Sequence, residues 1–500
     1  MERRDRLSVG PTDYEALRAR IERSDLAVNS LVLRHEGRKA LELYRPPYRA
    51  GVPQMLYSLS KSFTSIAVGI ACDLGLLSLD DTVVSFFPDK RPADVSLHLS
   101  AMRVRHLLSM TAGHGEDIYP CVTARQDWAR AFLEQKIEHV PGTFYRYSTP
   151  SSYMLAAIVE RVSGRDLVDF LMPALFGPLG ITRPDWERCP LGVTAGGMGL
   201  SLSTEDTAKF GQMLLGGGMH EGKRIVSAAY IELASSEQSD NRTGVNPERI
   251  DSAQGYGFQF HRCRFGAYRG DGSFGQLCLI SPKHDLAIAA NCAFPSMRPL
   301  QKLLDLIFAW AGEDVGGAAA DGPSHPLREA ASTGADGQGE CGVQDFGPAA
   351  SVGSSRVSAA MFEFPAADGT VYELDDNPDG LRSVRFGRTA CGFELTTDYA
   401  DERSGTLPFD ISRSIEAEGV FVKDLSLHRQ RVVTSVTNVG AAGDQEQPLR
   451  FVLRYIETPY EVVCEVGAAE DGILWSFAVN VSFGFKHYAV RGRPRVVTEF

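Results

Sequence analysis

Residues 53–88, PQMLYSLSKSFTSIAVGIACDLGLLSLDDTVVSFFP, carry the reading that decides the fold. From Ser58 onward, Phe63, Ile66, Ala67, Ile70, Ala71 and Leu74 recur at helical spacing and form one apolar stripe. Gly75 is a plausible stop. Ser58 and Lys61 stand three residues apart at the start of that helix, so they share a face. A serine hydroxyl is a weak nucleophile until a base takes its proton. Lysine can be that base only when burial or neighbouring cations lower its pKa, and the apolar stripe beside Lys61 makes burial plausible. Free N–H groups at the helix start would stabilise developing negative charge. The tetrapeptide alone leaves a plainer alternative open: Ser58 as an N-cap and Lys61 as a solvated side chain. A chain with ten lysines contains S-x-x-K about once by chance.

Bulk properties narrow the field. A chain of 500 residues is expected to hold two or three domains. Hydrophobic residues at 43% and charged residues at 23% are ordinary for a globular protein able to bury a full core. The formal net charge of −12, with no long basic run, lacks the electrostatic footprint of nucleic-acid binding and argues against an anionic membrane surface. MERRDRLSVGPTDYEALRAR has no apolar h-region and does not read as a signal peptide. No stretch of about 18 apolar residues offers a membrane span. Nine scattered cysteines without C-x-x-C spacing read as reduced, mostly buried thiols of a cytoplasmic protein. The eleven histidines do not fall at metal-ligand spacings, so neither a metal nor a cofactor is expected. There is no G-x-S-x-G elbow, which disfavours an α/β-hydrolase. There is also no Walker A loop, and GGMGLSL (196–202) lacks the strand–helix setting of a dinucleotide fingerprint.

Texture changes along the chain. Residues 1–312 mix strands and helices, an α+β pattern. AVNSLVLRHEGRKALELY (27–44) reads as a hairpin around EGRK, and 276–280 and 285–292 as adjacent strands. Segments 151–163 and 204–215 read as helices, the second with Thr204 as N-cap and Glu205 and Asp206 in its first turn. Residues 313–358 are rich in Gly, Ala, Ser and Pro and read as a linker or mobile loop. Residues 359–500 are all-β, with short segments such as LRSVRFG, GFELTT, VFVKDLSL, RVVTSVT and ILWSFAVN, as in a barrel or sandwich.

Four blocks in order resemble the serine β-lactamase-like hydrolases, a family that takes in class C β-lactamases, D-amino-acid-specific peptidases and esterases. They are the stretch quoted above, MRVRHLLSMTAGH (102–114), PGTFYRYSTPSSYMLAAIVERVSG (141–164) and GGMGLSLSTEDTAKFGQMLLGGG (196–218). The resemblance covers about residues 25–310 and implies an α+β β-lactamase/transpeptidase-like catalytic domain. RYIETPYEVVCEV and AVNVSFGF resemble the lipocalin-like barrel appended to many such hydrolases. Carried over residue by residue, Ser58 is the acylated nucleophile, Lys61 its proton acceptor, and Tyr147 the tyrosine that shuttles protons. Tyr145 is its rival and is expected to pack. The backbone N–H groups of Ser58 and Ser273 fall where the family forms its oxyanion hole.

The sequence departs from the pattern at two places. Thr149 replaces an asparagine that donates to the substrate carbonyl, and a hydroxyl has a shorter reach. GDGSFGQ (270–276) aligns with the third motif. It keeps Gly272 but has Gly270 where Lys or His is expected. Arg269 could compensate only if its side chain points inward, since adjacent strand residues face opposite sides, and Asp271 would then face away too or approach the pocket from a neighbouring turn. Thr149, Arg269, Gly270, Asp271, Gly272 and Tyr119 of HGEDIYPC are the candidate substrate-binding residues. His106 is expected to be structural. The resemblance thus implies a hydrolase acting on a small-molecule or short-peptide ester or amide, or an acyltransferase. Alternatives are a non-catalytic ligand-binding or sensor protein that retains the penicillin-binding fold, or a true β-lactamase, which Gly270 makes doubtful.

Overall fold

The computed structural model describes residues 11–243, 246, 248–316, 366, 368–438 and 448–495. Most of the predicted linker, from residue 317 to 358, lies outside the described residues.

The described residues up to 316 are built on a six-stranded antiparallel sheet. Its strands are β1 (Val28–His35), β2 (Arg38–Tyr44), β3 (His261–Arg262), β4 (Tyr268–Gly272), β5 (Gln276–Ser281) and β6 (Leu286–Cys292), in the spatial order β2-β1-β6-β5-β4-β3. Glu36 and Gly37 both take positive φ, 49° and 76°, in the two-residue turn between β1 and β2. This turn suits the right-handed twist of the flanking strands. It is two residues shorter than the predicted EGRK turn, because Arg38 and Lys39 already pair with His35 and Arg34. Strands β5 and β6 are buried along their whole length, since helices cover both faces of the sheet. On one face α1 (Pro11–Arg23) and α5 (Arg298–Trp310) bring Leu17, Ile21, Leu303 and Ile307 against Leu31, Leu279 and Ile288. On the other, α4 (Thr204–Leu215) seats Ala208 against Val32 and Ala289.

Two expectations about helices need correction. The N-cap of α4 is Ser203, whose hydroxyl accepts from Asp206 N at 3.1 Å. Thr204 is instead the first helical residue, and its hydroxyl pairs with Ser30 (2.7 Å) and Asn291 (2.8 Å) across the sheet. The quoted stretch forms α2 (Ser60–Asp73), but not as an amphipathic helix: every residue from Ser60 to Ala71 is buried. Its polar face is buried against backbone rather than water. Ser60, Ser62, Thr64 and Ser65 donate to the carbonyls of Tyr57, Gln259, Gly196 and Phe258 at 2.6–3.0 Å. Such partners remove the cost of burying hydroxyls. Beside α2 lies α3 (Thr149–Ser163), capped by Ser148 and closed by Gly164 in the left-handed conformation (φ 65°).

Residues from 371 on form β7 (Val371–Leu374), β8 (Leu381–Thr389), β9 (Gly392–Tyr399), β10 (Gly405–Asp410), β11 (Ile415–Val422), β12 (Leu427–Asn438), β13 (Leu449–Tyr455), β14 (Glu461–Ala469), β15 (Gly472–Val479) and β16 (His487–Pro494). Their order is β10-β9-β8-β7-β16-β15-β14-β13-β12-β11, all antiparallel. The sheet curls until its ends meet. Thr434 of β12 donates to the carbonyls of Pro408 in β10 (2.5 Å) and Ile415 in β11 (3.3 Å). The result is a nearly closed ten-stranded barrel. Strand β13 shows the alternation that drives it, with Leu449, Phe451, Leu453 and Tyr455 turned to the core. VFVKDLSL is not one strand: β11 stops at Val422 and 423–426 turn, closed by Lys423 N donating to Ser426 O at 2.9 Å. Lys423 and Asp424 leave the ladder because their charges and backbone find partners on the first domain.

The two domains share a core. Met55, Tyr57, Phe274 and Ala293 pack within the same apolar cluster as the barrel residues Phe451, Tyr460 and Trp475. Met55 N also donates to Glu457 O at 2.9 Å. Among the described residues no helix is long and apolar enough to cross a membrane. The eight described cysteines are free, and Cys189, Cys263, Cys278, Cys292 and Cys464 are buried.

Candidate active site

Ser58 sits in a 3-10 turn, Tyr57–Leu59, that runs directly into α2. It caps neither element, since Leu56 and Leu59 hold the N-cap positions. Tyr57 before it has φ 49°, a left-handed conformation that costs a bulky residue energy and persists only when the surroundings impose it. Those surroundings are the Phe274 ring at 5.2 Å, the Phe483 ring at 5.9 Å, and a bond from the Tyr57 hydroxyl to Lys423 O at 3.3 Å. Lys61 is 1% exposed. Its Nζ donates to Ser58 Oγ at 3.0 Å and to Gly197 O at 2.6 Å. Burial lowers the Lys61 pKa to about 7, against the opposing pull of Asp424 and Asp271. A solvated lysine is therefore not what the fold holds here.

Tyr147 lies on the extended segment leading into α3. Its ring is 5.0 Å from Lys61 Nζ, stacks on His261 at 6.2 Å and meets Tyr256 edge-on at 6.3 Å. Burial pushes its phenol above the usual value, while a hydrogen bond with Ser58 pulls the other way. Tyr147 thus keeps its proton at neutral pH and can relay it. Tyr145 packs on Tyr256 at 5.5 Å. His261 is held neutral, lowered to about 4 by burial even though Asp271 Oδ1 lies 3.7 Å away.

Strand β4 runs beside the serine. Ser273 opens a second 3-10 turn, Ser273–Gly275, in which Phe274 has φ 64°. The backbone N–H groups of Ser58 and Ser273 both belong to first turns, where intrahelical acceptors are lacking. The Gln276 amide braces the second turn by donating to Ser273 O (3.2 Å) and Cys292 O (3.0 Å). Gly270 and Gly272 face the start of α2. A Cβ at Gly270 would lie 2.3 Å from Ser62 Oγ, and one at Gly272 2.1 Å from Leu56 O. The missing third-motif cation is thus a matter of space. Arg269 does not stand in for it beside Ser58. It is 1% exposed and spent on Asp271 Oδ2 (2.8 Å), Asp251 O (2.6 Å), Cys263 Sγ (3.0 Å) and Ser252 Oγ (3.2 Å). Burial alone would raise the Asp271 carboxyl, but Arg269, His261 and Arg249 outweigh it and hold it low.

The remaining candidates line the surroundings. Thr149 is the first residue of α3 and abuts Gly197, where a Cβ would lie 2.8 Å from Thr149 Cγ2. It therefore backs the segment that accepts from Lys61. Tyr119 donates to Met198 Sδ at 3.6 Å. His106 accepts from Arg103 N at 3.1 Å and closes a helix start.

Sequence reasoning missed the barrel's contribution. Asp424 Oδ2 accepts from Gly199 N at 3.1 Å, two residues beyond the carbonyl that holds Lys61. Burial raises the Asp424 carboxyl to about 7, helped by Glu187 and opposed by Lys61. Glu187 accepts from Leu425 N (3.0 Å) and Ser426 Oγ (3.1 Å) and meets His428 Nε2 at 2.9 Å. The adjacent charges Lys423-Asp424, which interrupt an otherwise apolar strand, were the one signal available. Glu187 and His261 stand in no motif. Together these groups set the Ser58 hydroxyl beside an amine lowered to near neutrality and a phenol held above its usual pKa.

Comparisons with known proteins bear on the family and the fold. A family model described as Beta-lactamase matches residues 16–304. A 6-aminohexanoate-dimer hydrolase from Paenarthrobacter ureafaciens is 26% identical over 279 residues, 51% of this chain and 69% of that protein. A D-aminopeptidase from Brucella anthropi is 29% identical over 160 residues, 31% of this chain and 30% of that protein. A solved structure of a candidate beta-lactamase from Bacteroides dorei shares the fold, with a TM-score of 0.51, 16% identity, and coverage of 61% of this chain and 99% of that one. The family match spans more than half of the chain, and the chain belongs to the beta-lactamase family of serine hydrolases.

Proposed function

We propose that the protein cleaves an ester or amide through an acyl-enzyme on Ser58. The observation that carries this is the 3.0 Å contact between Ser58 Oγ and a buried Lys61 whose pKa is lowered to about 7. Neutral Lys61 takes the Ser58 proton as Oγ bonds to the substrate carbonyl carbon. The carbonyl electron pair moves onto oxygen, facing the N–H groups of Ser58 and Ser273. The tetrahedral adduct collapses, the leaving group departs with a proton relayed through Tyr147, and water or an alcohol or amine then releases the acyl group. Losing one oxyanion donor costs on the order of 3 kcal/mol of barrier. Amides stand beside esters because relatives carry the names 6-aminohexanoate-dimer hydrolase and D-aminopeptidase. The packed glycine at 270 and the engaged Arg269 leave a substrate carboxylate without the family's usual cation, which favours neutral esters over cephalosporins.

The test is intact mass after treatment with a fluorophosphonate, beside Ser58→Ala. Wild type should gain one adduct and Ser58→Ala none. An unlabelled wild type, or a labelled Ser58→Ala, refutes the mechanism. Short-chain nitrophenyl esters should turn over faster than a chromogenic cephalosporin.

A further inference from the structure

The turn at 423–426 leaves the barrel and enters the catalytic domain. Several contacts pin it to the catalytic domain. Lys423 Nζ meets Asp185 Oδ2 at 3.1 Å and Glu457 Oε2 at 3.9 Å, Tyr57 donates to Lys423 O, and Glu187 holds Leu425 N, Ser426 Oγ and His428. Pinning of this kind fixes the Asp424 carboxylate on Gly199 N. The same short segment offers Gly197 O to Lys61 Nζ at 2.6 Å. One loop of the catalytic domain therefore holds the base by a carbonyl and the barrel's acid by an amide.

The groups around the two are few. Lys61 faces Ser58, Tyr147, the Gly197 carbonyl, Asp271 and His261. Asp424 faces Glu187, Tyr57, Tyr119 and Tyr460. Asp271 already has a cation in Arg269 at 2.8 Å. The neighbouring Lys423 is turned to Asp185 and Glu457, and the cation that acts on Asp424 is Lys61.

We propose that Asp424 is a positioning residue for the catalytic base: the barrel supplies the carboxylate that sets the proton affinity of Lys61 and hence the pH at which Ser58 is acylated. This rests on the Ser58–Lys61 mechanism above. When Ser58 gives its proton to Lys61, an ammonium forms in a buried site, and the Asp424 carboxylate stabilises it. While Asp424 is ionised, Lys61 is the stronger base and keeps its proton to higher pH. Replacing the carboxylate with an amide has two linked effects. Lys61 becomes neutral at lower pH, and once neutral it is a weaker base.

The full-length wild type, Asp424→Asn and Asp424→Glu are labelled with a fluorophosphonate between pH 5 and 9, and the rate is read by intact mass. Wild type should show an acidic limb near pH 7. Asp424→Asn should move that limb down by about one pH unit, making labelling at the foot about tenfold faster relative to its own plateau, while the plateau itself falls. Asp424→Glu should return the limb toward wild type. A labelled wild type with an Asp424→Asn profile that superimposes on it, or that drops uniformly without a shift, overturns this inference alone. A wild type that takes no label refutes the Ser58 mechanism and this inference with it. Should Asp424→Asn fail to fold by circular dichroism, wild-type Lys61 is titrated by 13Cε-lysine NMR, assigned against Lys61→Met. Two inflections support coupling to the carboxyl, and a single inflection overturns it.

Discussion

Lys61 is the residue on which the proposed chemistry turns, and its environment makes a pH prediction with a definite sign. Burial disfavours the ammonium and brings the pKa to about 7. In the proposed mechanism the neutral amine is the base, so kcat/KM for a nitrophenyl ester should rise with pH through a limb near 7 and then level off. Below the limb it should fall about tenfold per pH unit. A limb at pH 9 or above, in a stopped assay across pH 5–10, would place the base elsewhere. Lys61 also shows why a tetrapeptide says little alone. A lysine three residues from a serine is legible in sequence, but its surroundings depend on Gly197 and Tyr147 and its proton affinity also on Asp424, none of which is near it in the chain.

Among the elements, the contact between β4 and α2 decides what the third motif can hold. The strand lies so close that Gly270 has Ser62 Oγ and Leu59 Cδ1 where a side chain would begin. Overpacking of this kind costs typically 1–3 kcal/mol. Gly270→Ala should therefore lower stability by about that amount, read by urea or thermal unfolding, and Ser62→Gly in the same chain should recover part of the loss. Wild-type stability in Gly270→Ala would refute the packing account. The elements themselves were largely readable. The helix from the quoted stretch, α3, α4 and the β5–β6 pair follow from periodicity and turn residues, although the cap of α4 is Ser203 rather than Thr204. The burial of α2 on all sides was not, because its serines and threonines look solvent-facing until their carbonyl partners on other segments are known.

For the whole molecule, the barrel packs directly against the candidate site. Its core encloses Tyr57 and Phe274, the two left-handed residues next to Ser58 and Ser273, and its 423–426 turn reaches the segment that holds Lys61. The turn is held down largely by Glu187. Glu187→Ala should free it, so that trypsin cuts after Lys423, which is 6% exposed in the intact protein, several-fold faster under native conditions. Fragment masses in a time course check this, and an unchanged rate would show that the other contacts suffice. The same substitution should slow ester turnover, because the Tyr57 hydroxyl bonds to the backbone of that turn.

The sequence by itself determined the α+β β-lactamase-like domain and the all-β C-terminal region, and it singled out Ser58 and Lys61, which the fold brings together at 3.0 Å, because each depends on local patterning: apolar spacing, turn residues and short motifs in order. Tertiary structure alone decided three things. It placed the β11–β12 turn against residues more than two hundred positions earlier, spent Arg269 on its own side of β4, and left no room at Gly270. The first and the last are contacts between segments far apart in the chain, and the Arg269 cluster depends on how nearby turns fold back on β4; all are set by which faces pack together, which local patterning encodes poorly.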